Sequence, residues 1–321
     1  MAVIASVIIP ACEAGGYVQK AIDSALAQTI QAVEVVVVDD GSTDNTWDVV
    51  SACAERDRRV IPVRRARRGG PAMARNAAIA RAGGRWLAVL DADDLFLPER
   101  LERMIALAEA AGADLLADNL LERDFATAAP LRPHFPDDAM GHAGALSPAE
   151  MVRRDMPDLP GRCRFGFVKP IIRRDFLLRS GVRYHEDVLA SQDFLLYFEC
   201  VARGARFHLT REAHYIYHLR EGSISTRRDS TLYRSLANRR MLRMAAGLGD
   251  KELISLLRRR QKLIDFHTFA LEAERGNVVA ALGYAHWGAP GRLLRQARVV
   301  AGAARKRLTA RVPGPARTVE G

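Results

Sequence analysis

The sequence has few cysteines, no long apolar run and no glycine-rich dinucleotide fingerprint. Its four cysteines form no CxxC pair, which argues against a zinc site or a disulfide framework and favours reduced thiols. Apolar stretches stay well short of the roughly 18 residues that cross a bilayer. The apolar first ten residues lack a basic leading region, so we expect no signal peptide. No GxGxxG follows an apolar run, which excludes the usual dinucleotide-binding turn. We therefore expect a globular cytoplasmic protein.

Positive charge is unevenly distributed along the 321 residues. The formal net charge is +10. Residues 226–321 hold 20 Lys and Arg against 7 Asp and Glu, a surplus of 13 that leaves residues 1–225 at −3. We therefore divide the chain into a first domain, 1–225, and a basic C-terminal region, 226–321. The C-terminal region shows amphipathic helical patterns at 231–275 and 292–308.

Short apolar runs alternate with helical patterns over the first 120 residues. Strands are predicted at Val3–Ile9, Val33–Val38, Val60–Val63 and Trp86–Leu90. Between the first two, Val18, Ile22 and Leu26 recur at a spacing of four and form one apolar helical face. Strands that are apolar throughout are typical of a parallel sheet covered on both faces. The pattern predicts an α/β domain with a mostly parallel sheet flanked by helices.

The remainder of the first domain is less regular. Six prolines interrupt residues 124–160, so we predict an excursion with one or two short helices. Beyond it, the pattern predicts a helix over 193–203 that ends at Gly204, and extended segments at 206–209 and 214–218. The α/β domain is expected to close near residue 225.

A first acidic motif, DDGSTD, begins at Asp39 and follows the second predicted strand. Ligands collect at the carboxyl ends of parallel strands, and Gly41 permits a tight turn there. Because carboxylates bind phosphate poorly, this turn is better suited to a uracil-like base or to ribose hydroxyls. The alternative is that Asp40 and Ser42 only cap the next helix.

A second acidic motif, DADD, begins at Asp91 and follows the fourth predicted strand. In an extended chain, Asp91 and Asp93 lie on the same side. Two hard oxygen donors suit Mg²⁺ or Mn²⁺, which can bridge to a diphosphate and neutralise a departing nucleoside diphosphate. Acids at strand ends also cap helices, but the presence of DDGSTD at a second strand end favours a ligand site.

Several longer segments follow one another in a characteristic order. They are VIIPACEAGGYVQKAIDSALAQ, VEVVVVDDGSTDNT, GGPAMARNAAIARAGGRWLAVLDADD, KPIIRRDFL and QDFLLYFECVARGARF. This order resembles the family 2 glycosyltransferases, which have the GT-A nucleotide-sugar-binding fold, and it covers about residues 1–225. The resemblance implies an inverting transfer, in which a carboxylate deprotonates an acceptor hydroxyl while a metal holds the leaving diphosphate. It is similar to bacterial exopolysaccharide enzymes of the succinoglycan type, which implies surface polysaccharide synthesis.

The resemblance also implies roles for individual residues. Carried over by position, these are Pro10 and Glu13 beside the nucleotide, Asp39 with its neighbour Asp40 at the base, Arg75 and Asn76 on the nucleotide side, Asp91 with Ala92 at the ribose, and Asp93 on the metal. The implied donor is a nucleoside-diphosphate-sugar, with UDP the expected nucleotide. The implied acceptor is a saccharide or a lipid-linked saccharide. Mg²⁺ or Mn²⁺ is the implied cofactor.

The general base of this family usually lies in a Glu-Asp pair near the start of a late helix. Here the pair reads Gln192-Asp193, and Asp193 is the candidate base. The alternative reading is an acid in the first helical turn that only complements the helix dipole. Glu186 and Asp187 are the fallback bases.

Two departures from the family pattern leave a further alternative open. Cys12 and Glu13 replace the usual aromatic residue and Asn after the first Pro, and Gln192 replaces the usual Glu. A glutamate near a diphosphate adds negative charge, and the altered pair changes how Asp193 is oriented. The alternative is a degenerate, non-catalytic nucleotide-sugar-binding subunit.

Two rival enzyme classes fit the sequence less well. A sugar-phosphate nucleotidyltransferase has a glycine-rich basic loop directly after its first strand, whereas PACEAGGY carries no Lys or Arg before Lys20. A phosphatase with Asp91 as nucleophile would need Thr or Val where this chain has Leu95. That reading would also leave DDGSTD unexplained.

The basic C-terminal region has several possible partners. We expect it to bind anionic lipid and to hold the protein at the inner face of the plasma membrane, with Arg258–Arg260 and Arg305–Arg307 as the relevant clusters. A solvated or oligomerising helical face is the alternative. Nucleic acid is not expected, because no recognised module is present and few aromatic residues lie among the arginines. Before this region, His218 or Arg220 could reach the diphosphate, with a structural role as the alternative.

Overall fold

The computed structural model describes residues 2–124, 130–141, 143–159, 164–219 and 230–284. Within them the chain forms one mixed sheet with helices packed against it. The strands are β1 (Ala5–Ala11), β2 (Val33–Asp39), β3 (Val60–Arg64), β4 (Trp86–Val89), β5 (Leu95–Phe96), β6 (Leu115–Asp124), β7 (Arg132–Pro133), β8 (Ile171–Arg173) and β9 (Phe207–Leu219). The helices are α1 (Val18–Leu26), α2 (Thr46–Arg56), α3 (Pro71–Arg81), α4 (Arg100–Ala110), α5 (Asp137–Met140), α6 (Pro148–Arg153), α7 (Arg174–Ser180), α8 (Gln192–Ala202), α9 (Ser230–Leu248), α10 (Lys251–Arg275) and α11 (Val278–Leu282).

The sheet joins a parallel half to a mixed half. Its strand order is β3-β2-β1-β4-β8-β6-β9-β5, and β7 pairs with β6. β1 runs parallel to β2 and β4, and β2 runs parallel to β3. β8 runs antiparallel to both β4 and β6, while β6 and β9 are parallel. Because β1, β2 and β4 are parallel, their carboxyl ends open on one edge, and the two acidic motifs meet there.

The buried parallel strands explain the continuous apolar runs in the sequence. Val35 through Val38 in β2 are all fully buried, as are Trp86 through Ala88 in β4. Helices cover both faces of such a sheet, so no strand face is left to alternate with water. The apolar face of α1 buries Val18, Ala21, Ile22 and Ala25. The core therefore lies directly behind the edge that carries the acidic motifs.

The predicted order of strands and helices is confirmed for the first 110 residues. The short helices α5 and α6 lie in the proline-rich excursion, and α8 lies at the predicted late helix. The two predicted extended segments at 206–209 and 214–218 belong to a single strand, β9, which has register shifts against β6. β6 itself was not singled out from the sequence.

The helices α9 and α10 share the core of the α/β domain. Ala237, Met241 and Ala245 from α9, with Leu253 and Leu257 from α10, are fully buried in the same cluster as the sheet residues. Several predictions fall on residues outside the described ranges. They are the domain boundary near 225, the role of Arg220, the helix at 292–308 and the cluster Arg305–Arg307. Among the described helices, none has the length and apolar character that a membrane span requires.

Candidate active site at the carboxyl edge of the sheet

A cleft of about 530 Å³ opens where β1, β2 and β4 end. Its walls contain predicted site residues from four separate stretches of the chain: Pro10, Glu13, Asp40, Arg75, Asp91, Ala92, Asp93 and Asp193. Asp39 and Asn76 do not line it. The cleft thus brings the donor-side motifs and the candidate base into one site.

Two cations and two carboxylates form the centre of the cleft. Arg75 from α3 lies 2.7 Å from Asp91 and 3.1 Å from Asp193. The ammonium of Lys169, just before β8, lies 2.8 Å from Asp91 and 3.1 Å from Asp193. Each carboxylate therefore has one oxygen near each cation. Side-chain exposure is 5% for Arg75 and 7% for Lys169, against 25% and 14% for Asp91 and Asp193.

Mutual pairing keeps Asp91 and Lys169 charged despite their burial. Burial alone would raise the pKa of Asp91, but the positive charges of Lys169 and Arg75 hold it well below its usual range. Burial likewise opposes the charge on Lys169, yet Asp193 and Asp91 raise the pKa of its ammonium above the usual value. Tyr184, whose ring lies 5.3 Å from the Arg75 guanidinium, has a raised phenol pKa because it is buried beside Asp193.

The turn after β2 separates its two aspartates. Asp39 is fully buried, and its Oδ1 accepts a hydrogen bond from the Ser42 amide at 3.1 Å while Oδ2 lies 3.6 Å from Arg64. Asp40 lines the cleft and accepts hydrogen bonds from the amides of Gly69 and Gly70 as well as from Arg65. Both aspartates are therefore buried, and of the two Asp40 lines the cleft.

The alternative reading of Asp40 and Ser42 as helix caps is wrong. Helix α2 begins at Thr46, and it is the Asp44 carboxylate that accepts the Thr46 amide hydrogen at 3.0 Å. The Ser42 hydroxyl instead accepts a hydrogen bond from the Glu13 amide at 3.0 Å. Gly41 has φ +69°, and an added Cβ would meet the backbone of Arg68 at 2.6 Å. The turn is therefore shaped for close approach to neighbouring segments, not for capping.

Glu13 directs its carboxylate at this same turn. Its Oε1 accepts hydrogen bonds from the amide of Thr43 at 2.9 Å and from the Thr43 hydroxyl at 3.2 Å. Its backbone is left-handed, with φ +50°, a conformation that costs about 1 kcal/mol or more for a residue with a side chain. Glu13 therefore joins the end of β1 to the turn after β2, and its charge is not aimed at the centre of the cleft.

Asn76 lies behind the cleft and holds a loop. Its amide donates to the carbonyl of Tyr184 at 2.9 Å and to Glu186 at 3.1 Å, and its Oδ1 accepts from the Tyr184 amide at 3.0 Å. These bonds use both ends of the side-chain amide. The predicted nucleotide-side role thus has no support from the position of Asn76, which instead fixes Tyr184 against Arg75.

The DADD segment after β4 is held from β9. The Tyr215 hydroxyl accepts from the Asp91 amide at 3.2 Å and donates to Asp94 at 2.7 Å. The His218 ring contacts the carbonyl of Asp93 at 2.7 Å, and burial lowers the pKa of that ring. Asp94 is fully buried, and burial beside the charges of Asp91 and Asp93 raises its pKa well above the usual range. Asp94 is therefore structural, whereas Asp93 remains partly exposed to the cleft.

The donor set around Asp93 fits a cation that a substrate helps to bind. The part of the chain that the structure describes contains no group of three or more His, Cys, Asp or Glu that could hold a metal by itself. Both oxygens of Asp91 pair with Arg75 and Lys169, and a metal shared by Asp91 and Asp93 stays a prediction. Mg²⁺ is commonly bound by one or two carboxylates with substrate phosphates and water, and Asp93 suits that arrangement.

The three candidate bases, Asp193, Glu186 and Asp187, differ in their position relative to the cleft. Ser191 has a left-handed backbone with φ +62°, and α8 then begins with Gln192 and Asp193 at the cleft. Glu186 contacts Asn76, and Asp187 pairs with Arg240 of α9. Neither fallback base lines the cleft.

Several residues that line the cleft were not predicted from the sequence. Lys169 precedes Pro170 and the apolar strand β8. A single lysine directly before a buried strand is the sequence feature that could have indicated its role. Arg164, Arg234 and Arg260 also line the cleft, although the last two belong to helices that were assigned to a separate region. Only packing of α9 and α10 against the domain shows that they reach the site.

Comparisons with known proteins identify the family of this chain. The family model described as "Glycosyl transferase family 2" matches residues 6–171. The succinoglycan biosynthesis protein ExoO of Rhizobium meliloti is 39% identical over 232 residues, which cover 68% of this chain and 61% of that relative. The chain thus spans less than two thirds of that relative's length.

Solved structures show the same fold at low sequence identity. Staphylococcus aureus TarS in complex with UDP-GlcNAc has a TM-score of 0.60 at 20% identity, over 96% of this chain and 84% of that one. The mannosyltransferase PcManGT from Pyrobaculum calidifontis, in complex with GDP-Man and Mn²⁺, has a TM-score of 0.54 at 19% identity, over 96% and 88%. The chain belongs to glycosyl transferase family 2 and has the GT-A fold.

Proposed function

We propose that this enzyme moves a sugar, with inversion, from a nucleoside-diphosphate-sugar to a saccharide or lipid-linked saccharide acceptor. The observation that carries the proposal is the pairing of Asp193 with the same two cations that hold Asp91. That pairing puts a candidate base from α8 beside the strand ends where ligands of α/β sheets bind.

The donor nucleotide is assigned to the wall formed by the ends of β1 and β2. Pro10 and Glu13 line this wall, and Asp40 lies beside them. We assign the base contact to the turn that carries Asp39 and Asp40, because Asp40 lines the cleft and the buried Oδ2 of Asp39 has no hydrogen-bond partner among the described residues. Asp91 and Ala92 follow on β4, in position for the ribose, and UDP is the proposed nucleotide.

The reaction is assigned to Asp193. Its carboxylate accepts the proton of the acceptor hydroxyl while that oxygen attacks the anomeric carbon from the face opposite the departing diphosphate. The anomeric C–O bond to the diphosphate breaks as the new glycosidic bond forms. Arg75 and Lys169 hold Asp193 in place, and their positive charge favours a diphosphate nearby.

A divalent cation is proposed at Asp93. When bound, Mg²⁺ or Mn²⁺ would neutralise the negative charge that develops on the leaving diphosphate. His218 fixes the backbone at this position through its contact with the Asp93 carbonyl. Its ring is the nearest candidate to contact the diphosphate.

Two observations support the proposed class of acceptor: the description of a relative and the basic surface of α10. ExoO is described as a succinoglycan biosynthesis protein, and we propose that this enzyme also acts in surface polysaccharide synthesis. On α10, the exposed residues Lys251, Arg258, Arg259 and Lys262 surround a shallow groove. We propose that this face rests on anionic lipid at the inner side of the plasma membrane, where lipid-linked acceptors would be met.

One observation favours a second candidate, a non-catalytic subunit that binds nucleotide-sugars. Gln192 replaces an acid beside the base, and its buried Oε1 accepts no hydrogen bond among the described residues. Such a subunit would bind donor without turning it over.

A calorimetric screen of nucleoside-diphosphate-sugars with Mn²⁺, followed by donor hydrolysis on the best binder, tests both candidates. Saturable binding with turnover supports the transferase. Binding without turnover supports the subunit, and the absence of binding by any nucleotide-sugar would contradict both.

A further inference from the structure

The cleft continues past the proposed donor site to a second group of cations. In sheet order the donor motifs occupy β2, β1 and β4, and the next strand is β8. On that side the cleft is lined by Arg164, Arg234 and Arg260. None of these residues takes part in the proposed donor chemistry.

One of the three arginines is fully neutralised inside the protein. Arg260 of α10 is 2% exposed and pairs with the Asp155 carboxylate, while also donating to the Asn238 side chain at 3.1 Å. The other oxygen of Asp155 accepts a hydrogen bond from the Gly166 amide at 2.9 Å. Both oxygens of Asp155 therefore already have a partner within the protein.

The other two arginines have no acidic partner in the described part of the chain. No ion pair joins Arg164 or Arg234 to a carboxylate there, and the buried Nε of Arg164 has no hydrogen-bond partner. Burial and the nearby charge of Arg164 lower the pKa of Arg234, against the weaker opposite effect of Asp155. Two guanidinium groups thus line the cleft without an ion-pair partner among the described residues, an arrangement that an anion would stabilise.

This end of the cleft also adjoins the candidate base. The guanidinium of Arg260 lies 5.2 Å from the ring of Phe194, the residue after Asp193. Arg164 belongs to the short segment that leads through Gly166 and Phe167 to Lys169. An acceptor that presents a hydroxyl to Asp193 would therefore extend toward Arg164 and Arg234.

We propose that Arg164 and Arg234 form an anion subsite for the acceptor, which binds a compact oxyanion close to the sugar that is glycosylated. This inference rests on the proposed transferase function and names the acceptor's chemistry. Guanidinium groups match phosphoryl and carboxylate oxygens in paired geometry. Two sources share this chemistry: the phosphoryl group of a lipid-linked acceptor and the carboxylate of an acidic saccharide.

Binding of small anions to the full chain tests the subsite without any transfer. The chain is saturated with UDP and Mg²⁺, which occupy the donor side, and is titrated in a calorimeter with geranyl diphosphate, galacturonate and galactose. We expect one of the two anions to bind saturably and galactose to bind at least tenfold more weakly. Preference for geranyl diphosphate assigns the phosphoryl source, and preference for galacturonate assigns the acidic saccharide.

Three variants locate the binding. Arg164→Gln and Arg234→Gln should each weaken the preferred anion at least tenfold while leaving the Kd for UDP unchanged, which also shows that the variants are folded. Arg58→Gln, which removes the same charge from an exposed position that does not line the cleft, should change neither. The inference is overturned if neither anion binds in the presence of UDP, or if the Arg164 and Arg234 variants bind it as the wild type does. Failure of UDP itself to bind would instead contradict the proposed function.

Discussion

Asp91 and Asp193 reach the same two cations from opposite walls of the cleft. Asp91 follows the buried strand β4 and Asp193 lies in the first turn of the late helix α8, yet each has one oxygen near Arg75 and the other near Lys169. This relationship couples the donor side of the site to the proposed base.

Removal of Lys169 should destabilise the fold. Lys169→Met leaves two nearby carboxylates with one shared cation, and breaking such a buried arrangement costs about 3 to 5 kcal/mol. Urea unfolding measures the loss. Lys169→Arg should lose less, because the charge is kept, and Lys169→Met combined with Asp193→Asn should recover part of the stability. A double variant no more stable than Lys169→Met would show that the carboxylates do not repel.

Neutralisation of Asp193 should abolish transfer and spare donor binding. General-base catalysis contributes about 10² to 10⁴ in rate, so kcat for Asp193→Asn should fall by at least about 100-fold. Donor Kd, measured by calorimetry, should change by less than about threefold. Glu186→Gln and Asp187→Asn are the matched controls, since those acids lie away from the cleft and should keep near-normal turnover. Near-normal kcat in Asp193→Asn would show that the base lies elsewhere.

Loss of Asp93 should remove the metal dependence of donor binding. In the wild type, Mn²⁺ should tighten nucleotide-sugar binding, and in Asp93→Ala the Kd measured with and without Mn²⁺ should agree. We expect at least about a tenfold weakening with metal present, or about 1.4 kcal/mol. Asp48→Ala removes an exposed acid from α2 and serves as the control. A metal effect of undiminished size in Asp93→Ala would contradict the assignment.

Glu199 should contribute stability that depends on pH. Burial would raise the pKa of Glu199, but hydrogen bonds from His185 and Arg203 lower it overall. A carboxyl whose pKa is lower in the folded state stabilises the fold above its unfolded value near 4.3, and this stability is lost as the pH falls through the folded value. Glu199→Gln should therefore be less stable than the wild type at pH 7, and the difference should shrink below pH 4.

Guanidinium unfolding at pH 7 and pH 3.5 would measure this difference. Glu109→Gln is the control, because its pair with Arg85 is exposed and should matter little at either pH. A Glu199→Gln penalty that is equal at both pH values would show that the loss comes from packing and not from charge.

The basic face of α10 should bind anionic vesicles. Each basic residue near such a surface contributes about 1 kcal/mol, so Arg258→Glu with Lys262→Glu should abolish flotation with phosphatidylglycerol vesicles at moderate salt. Arg58→Glu with Arg67→Glu makes the same charge change at exposed positions near the sheet and should float normally. Point variants are needed because truncation before α9 would uncover the shared core. Equal flotation of both double variants would argue against this surface.

The order of elements and the location of the site follow from local sequence. Consecutive β-branched residues such as Val35 to Val38 can only be accommodated in a strand covered on both faces, and Pro71 begins a helix because it lacks an amide hydrogen to satisfy. Acidic motifs at the ends of parallel strands then define the ligand edge. For these features, contacts between neighbouring residues and burial of apolar side chains decide the structure.

Tertiary structure decided which residues of each motif face the ligand. The sequence places Asp39 and Asp40 side by side, but only the fold shows that both are buried and that Asp40 also lines the cleft. The amide of Asn76 is taken by Tyr184, and the cations that hold Asp193 come from α3 and the segment before β8. Arg234 reaches the cleft only because α9 packs against the domain. Charge pairing and packing between segments that are distant in sequence produce no periodic pattern in the sequence. These contacts can therefore be identified only in the folded chain.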